Sequence, residues 1–350
     1  MYAINRDIVL LICENLSDRD KLRFTMTSTY FDALKCKMLY HTRIRCDYFR
    51  HLSYFDRFTS VISNLRNKIP VCTIRLTIDI NHTGTVWGQI PLSVTYVTCG
   101  VHFDQPARNF FPPSVTHLHF GHSFNQCLKD VIPNSVTHLT FGKLFNQSIN
   151  GHIPASITHL TLGKYFNKPL DGSLPTSLTH LTFGKRFNQS IQNKLPSSIT
   201  HLQFGEHFNQ SLECSIPASV IYLVFGANFN LPLWGCIPDS IVSLSLGWSF
   251  NQDIHDTIPN SVVHLTFGWK FNQTIDGCIP SSVSKLSFGW CFNQSIENCI
   301  PPSVTYIFFG FCFNRSINSL PATVKKIMLP SNYHLEISEE IRLRTIIETY

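Results

Sequence analysis

The pair Phe-Asn recurs at Phe124, Phe145, Phe166, Phe187, Phe208, Phe229, Phe250, Phe271, Phe292 and Phe313, and every interval is 21 residues. A proline keeps the same step from Pro112 through Pro133 to Pro301. The stretch "IPLSVTYVTCGVHFD" from Ile90 is a worn copy in which Asp104 replaces the asparagine, and "IPVCTIRLTI" from Ile69 keeps only the first half. At the other end "LPATVKKIMLP" from Leu320 arrives one residue early and stops. Intact units flanked by degraded ones are the mark of a solenoid closed by atypical coils. A 21-residue unit is too short for a helix pair and fits one coil of a leucine-rich-repeat-like solenoid.

Within one unit the apolar set is Ile132, Val136, Leu139, Phe141, Phe145 and Ile149. Leu139 and Phe141 alternate with polar neighbours, so they predict a short strand with both side chains pointing inward, ended by Gly142. Phe145 and Ile149 then fill the return side, and the proline opens the next coil. Composition agrees: the chain is 43% hydrophobic and 14% charged, with 28 Phe spread evenly along it. Asn146 and its equivalents fall in the turn, where an amide can donate to and accept from backbone groups that a coil leaves unpaired. They read as a backbone ladder; a row of binding amides is the alternative.

The unit "IP-x-S-(V/I)-T-H-L-x-F-G-x-x-F-N-Q-x-I" resembles the FNIP repeat from about Ile90 to Pro330. The N-terminal "INRDIVLLICENLSDRDKLRFTMTSTYFDAL", Ile4 to Leu34, is similar to an F-box. Ile4 and Asn5 occupy that family's Leu-Pro positions, Asp7 its acidic one, and Phe31 stands where Trp is usual. The F-box resemblance implies a helical module that docks on a Skp-type adaptor of a cullin–RING ubiquitin ligase, through Ile4, Ile8, Val9, Ile12, Leu16, Leu22 and Phe31. The residues themselves agree with helices here: Ile8, Leu11, Ile12 and Leu16 lie at helical spacing, and Ser17 can cap a following turn containing Asp18 and Asp20. Helices that merely cap the first coil are the other reading.

The expected fold is therefore α+β: a small N-terminal helical F-box-like module (1–46), a linker and cap (47–89), a leucine-rich-repeat-like parallel β solenoid of FNIP repeats (90–330), and a C-terminal capping helix (331–350). Ser338, ahead of Glu339 and Glu340, is placed to cap that last helix.

If Leu139 points in, His138 points out, and its column continues through His159 and His180. Identical ligands at even intervals do not build the tetrahedral cluster zinc prefers, and no carboxylate or thiolate shares the column. It reads as a polar ladder rather than a metal site. The position after the strand glycine is basic at Lys143, Lys164 and Lys185 and aromatic at Trp248, Trp269, Trp290 and Phe311. Two readings stand for the aromatic run: rings stacked to stabilise the last coils, or a contact surface, of which a glycan-stacking platform is one form. Together these columns are the candidate target-binding face. Cys278 and Cys299 share a column, as do Cys291 and Cys312; buried thiols are the expectation.

The net charge is +6, and residues 1–68 carry most of it, with twelve Lys and Arg against seven Asp and Glu. The nearly neutral remainder gives a nucleic-acid partner no electrostatic footing. No stretch reaches the eighteen or so uncharged apolar residues of a membrane span. Arg6, Asp7 and Glu14 interrupt the apolar N-terminus against a signal peptide, and the 12 Cys show no metal or disulfide framework, so a cytoplasmic location is expected. No nucleophile elbow, phosphate loop or metalloprotease motif is present, and no cofactor site is apparent. The expectation is a non-catalytic receptor: a ligase subunit that captures a target protein on the solenoid, or a plain interaction scaffold with capped ends.

Overall fold

A β-solenoid coil must bury one side of a short strand, turn twice, and leave no backbone group unpaired, and each demand has its own column of residues here. In the computed structural model the described residues are 6–27, 29–48, 50–66, 68–79, 89–172, 174–213 and 215–350. They divide into two compact units, Met1–Gln147 and Ser148–Tyr350.

The first unit opens with three helices, α1 (Arg6–Glu14), α2 (Asp18–Thr25) and α3 (Thr29–Asp32). Six parallel strands follow in chain order: β1 (Ile44–Arg45), β2 (Ser60–Ser63), β3 (Arg75–Ile78), β4 (Tyr96–Cys99), β5 (His117–His119) and β6 (His138–Thr140). The register keeps the inward residues aligned, Leu76 beside Val97, Val97 beside Leu118 and Leu118 beside Leu139. Strands β1 and β2 lie upstream of any repeat signal, within residues where a helical module and a linker were expected. They form because Val61 and Phe58 are needed in the cluster that also buries Val9 and Cys13 of α1, Leu34, Met38 and Tyr40.

The second unit continues the pattern with β7 (His159–Thr161), β8 (His180–Thr182), β9 (His201–Gln203), β10 (Tyr222–Val224), β11 (Ser243–Ser245), β12 (His264–Thr266), β13 (Lys285–Ser287), β14 (Tyr306–Phe308) and β15 (Lys326–Leu329). Helix α4 (Glu339–Arg344) and strand β16 (Ile346–Thr349) end it. Every neighbouring pair in this unit is parallel, from Leu160 beside Leu181 to Ile327 beside Ile347. The middle residue of each three-residue strand is buried and its neighbours are not, as the alternation predicts.

Behind the strand the phenylalanines form the core. Phe183 stacks on Phe187 of the same coil at 4.1 Å, and Phe187 lies 6.2 Å from Phe208 in the next. The Phe of each Phe-Asn pair is essentially inaccessible, and burying such a side chain contributes about 2–3 kcal/mol per coil. The strand-ending glycine is sterically obligatory: a Cβ built on Gly205 would lie 1.8 Å from the carbonyl oxygen of Gly184. A second turn position has positive φ at Asn193 (55°), Gly235 (65°), Asp256 (50°), Gly277 (67°) and Asn298 (57°). Asn and Asp tolerate the left-handed region and Gly has no Cβ to clash there, which suits these residue types to the position.

The backbone ladder predicted for asparagine is present. Oδ1 of Asn188 accepts the backbone N–H of Asn209 at 2.9 Å, and Asn230 does the same for Asn251 at 2.8 Å. In the worn copy Asp104 serves Asn125 identically, at 2.9 Å.

The C-terminus corrects one expectation. Residues 331–350 are not a capping helix: α4 spans six residues, Ser338 forms no side-chain cap, and the chain then returns to the sheet. The Arg344 guanidinium donates to the carbonyls of Leu320 and Pro321 at 2.7 and 2.6 Å, and Ile346 N–H donates to Lys325 O at 2.8 Å. Two adjacent isoleucines favour a strand, and β15 would otherwise offer an unpaired edge.

Candidate functional site

Because each coil repeats the last, a surface site on this fold is a column of equivalent side chains one strand apart, about 4.8 Å per step. The histidine column is a stack of rings. In the first unit His117 lies 3.9 Å from Tyr96 and 4.2 Å from His138, and the Arg75 guanidinium covers the far face of Tyr96 at 4.3 Å. In the second unit His159, His180, His201 and Tyr222 stack at 4.1, 4.1 and 4.4 Å.

His117, His138, His159, His180 and His201 are each oriented by the threonine before them. Thr179 Oγ1 donates to Thr158 O at 3.1 Å, which spends its one proton, so it accepts from His180 Nδ1 at 2.9 Å. The Nδ1 atoms therefore carry the hydrogens, and the Nε2 lone pairs run parallel instead of converging. At His264 the preceding residue is Val263, and Nδ1 there is buried without a partner. Among the described residues no group of three His, Cys, Asp or Glu is placed to hold a metal ion.

The column after the strand glycine has three zones. Lys143 is exposed in the first unit. In the second, Lys164 and Arg186 both lie over the Tyr165 ring, at 5.4 and 4.4 Å, and Lys185 pairs with Glu206 at 2.9 Å. The hydrogen bond from Lys185, with its charge, holds the Glu206 carboxyl below the usual range. Ala227 follows. Then Trp248, Trp269, Trp290 and Phe311 stack at 4.3, 4.4 and 4.5 Å, the indoles within 4° of parallel. Trp248 is 50% exposed, Trp290 38% and Phe311 40%. The rings stack on one another and also face solvent, so the two sequence readings are compatible. Their mutual stacking leaves edges, not broad faces, along most of the run, which argues against a flat sugar platform. Cys291 and Cys312 beside this run, and Cys278 and Cys299, are thiols rather than disulfides; burial pushes the Cys291 thiol up, and Cys312 adds to the shift.

The N-terminal helices split the predicted adaptor-contact residues. Val9 is 3% exposed and packs with Cys13 into the core, so it holds the helix in place and offers no contact. Leu16, Leu22 and Phe31 are half-buried against the same cluster. Ile12 faces solvent at 57%, and beside it Leu11 at 64%. Ile4 lies outside the described residues, as does the Ile8 side chain. Helical spacing identified α1 but not which apolar stripe is buried, so Leu11 was missed as a surface residue, as was Met26 at 76% exposure. Ser17 caps α2 as predicted, accepting from Asp20 N–H at 3.3 Å. Buried Lys21 donates to Leu39 O at 2.9 Å and pairs with Asp18 at 3.4 Å, tying α2 to the segment before β1.

A protein-family model described as FNIP Repeat matches residues 103–144, 145–186, 166–207, 187–217, 208–249, 233–270, 271–312 and 292–332. Among solved structures, the chain is similar to CroV588, described as a novel circular LRR protein structure, at 34% identity and a TM-score of 0.68. That match covers 84% of this chain and 53% of the CroV588 chain, so the protein spans about half the length of that relative. A second, YopM from Yersinia enterocolitica WA-314, is 18% identical over 77% of this chain and 57% of its own, with a TM-score of 0.49. No curated protein sequence matches. Among the described residues no helix is long and apolar enough to cross a membrane.

Proposed function

Since the chain belongs to the FNIP repeat family, and its solenoid resembles leucine-rich-repeat proteins suited to protein interaction, we propose that it is the target-recognition subunit of a cullin–RING ubiquitin ligase. In this reading the N-terminal helices dock on a Skp-type adaptor and the solenoid holds a target protein. The receptor performs no chemistry; it raises the target's concentration near the ligase.

The observation that carries the adaptor half is the double character of α1. One stripe, Val9 and Cys13, is buried, and the other presents Leu11 and Ile12 to solvent. A helix apolar on both sides is unusual at a free surface and suits a helix that packs on a partner. The competing reading, a scaffold without a ligase whose helices only cap the solenoid, is favoured by the cluster that joins α1 to Tyr40, Phe58 and Val61. A cap accounts for the buried stripe and leaves the exposed one without a use.

The test is an affinity capture with the full chain beside Leu11→Asp/Ile12→Asp, probing for a Skp-type adaptor and cullin. Both positions are exposed, so the double variant is expected to fold, which circular dichroism checks. Adaptor and cullin recovered with the wild type and lost with the variant support the receptor. A folded chain that recovers neither is a scaffold.

A further inference from the structure

The column after the strand glycine changes character abruptly in the second unit, and the change has a shape. Trp248 is the first ring of the aromatic stack. One face rests on Trp269 at 4.3 Å; the other is turned to the preceding coil, where the column holds only the methyl of Ala227. Beyond Ala227 stands Glu206, paired with Lys185. The drop to a methyl leaves room for a notch one coil deep, floored by Ala227 and walled by the outer indole face of Trp248, a residue 50% exposed. Every later slot of this kind is filled by an aromatic ring at 4.3–4.5 Å, so the notch has the width of one planar ring. The coil that floors it also exposes Tyr222 at 44% and Val224 at 36%.

The far side of the notch is basic. Glu206 is offset by Lys185, which leaves Lys164 and Arg186, gathered over Tyr165, without an ion pair among the described residues. They lie up to three coils from Ala227, about 14 Å at a strand spacing of about 4.8 Å. That is the reach of about four extended residues.

We infer that this stripe binds an extended peptide segment of a partner protein, with an aromatic side chain in the Ala227 notch and acidic side chains about four residues away on Lys164 and Arg186. The inference rests on the reading of the solenoid as the target-binding element and gives that target a chemistry. A guanidinium would also stack on Trp248 and meet Glu206, but the net positive charge of the Lys164, Lys185 and Arg186 group opposes it. A sugar would find one indole face and no built polar partners beside it.

The probe is a fluorescein-labelled peptide, Glu-Asp-Ser-Gly-Ser-Phe-Ser, titrated by anisotropy against the full-length chain. Replacing its Phe by Ala is expected to weaken binding by about tenfold or more, and replacing both acids by Arg to abolish it. On the protein, Ala227→Phe fills the notch and is expected to cost about tenfold, and Arg186→Glu about fivefold. The peptide substitutions decide the matter even where Ala227→Phe disturbs the coil, which circular dichroism reports. The inference is overturned if the wild-type chain does not bind the acidic–aromatic peptide, if the arginine peptide binds as well, if Ala227→Phe folds and binds unchanged, or if an oligosaccharide rather than the peptide shifts the Trp248 indole resonance. Recovery of adaptor and cullin by the Ala227→Phe chain, with no peptide binding by the wild type, removes this stripe and leaves the receptor reading standing.

Discussion

The side-chain carbonyl of Asn251 accepts the backbone N–H of Asn272 at 2.8 Å and, from the same coil, the Gln273 amide at 3.1 Å. Two donors of one coil thus depend on one oxygen of the coil before it. Asn251→Ala strands a part-buried N–H and is expected to cost about 1–3 kcal/mol. Asn251→Asp keeps the acceptor, as Asp104 does for Asn125 and Gln126. It is expected to recover at least half the loss. Urea unfolding of the two variants checks this; equal losses would mean that the amide nitrogen, and not the carbonyl, carries the ladder.

Two glycines at different positions of one coil, Gly268 and Gly277, should respond very differently to substitution. A Cβ on Gly268 would lie 1.7 Å from Gly247 O, a backbone atom that no rotamer can move. Gly268→Ala is expected to cost more than about 3 kcal/mol or to prevent the array from closing. Gly277 has open space around it at a φ of 67°, and Asn298 fills its column at 57°. Gly277→Asn should therefore change stability by less than about 0.5 kcal/mol. Thermal melts of both variants decide it.

Much of this architecture was legible because the chain states it ten times. The inward Leu-x-Phe pair, the strand glycine, the Phe core and the asparagine ladder each follow from one coil and are then checked by the next. The left-handed column was equally available in the alternation of Asn193, Gly235, Asp256, Gly277 and Asn298, since Gly, Asn and Asp share tolerance of positive φ. What could not be read lies where repetition fails. Strands β1 and β2 have no sister coil to reveal them, and the last coil exchanges its return segment for α4 before Ile346 and Ile347 pair with β15. At the candidate sites the columns were visible but their contacts were not. Period alone cannot say that Leu11 is outside while Val9 is inside, or that the threonine before His180 sets its tautomer.

Acid should loosen the first unit through His117. Burial is the main cause that lowers its pKa, and His138 and the Arg75 charge add to it. An unfolded histidine titrates near about 6.5, so as pH falls the unfolded chain takes the proton first. Stability is thus full above about 6.5 and is lost as pH drops through that value toward the native pKa. Burial shifts His119 in the same direction. Arg75→Gln removes one of the opposing charges and is expected to raise the His117 pKa, read from its Cε1–H resonance, and to shallow the acid loss of stability. An unchanged His117 titration would show that the guanidinium over Tyr96 does not act on it.

The tryptophan column separates a stability role from a surface role by position. Trp269 has a ring on each face, at 4.3 and 4.4 Å, whereas Trp248 has Trp269 on one face and Ala227 in the coil on its other side. Aromatic pairs contribute about 1 kcal/mol each beyond their buried area. Trp269→Ala loses two such pairs and Trp248→Ala one, so Trp269→Ala should cost at least about 1 kcal/mol more in urea unfolding. The more exposed ring is the cheaper one to lose, which is the order expected when the end of a stack is held open for another ring. Equal costs at both positions would mean that Trp248 is secured by contacts other than the stack, and its outer face would then have no claim to being open.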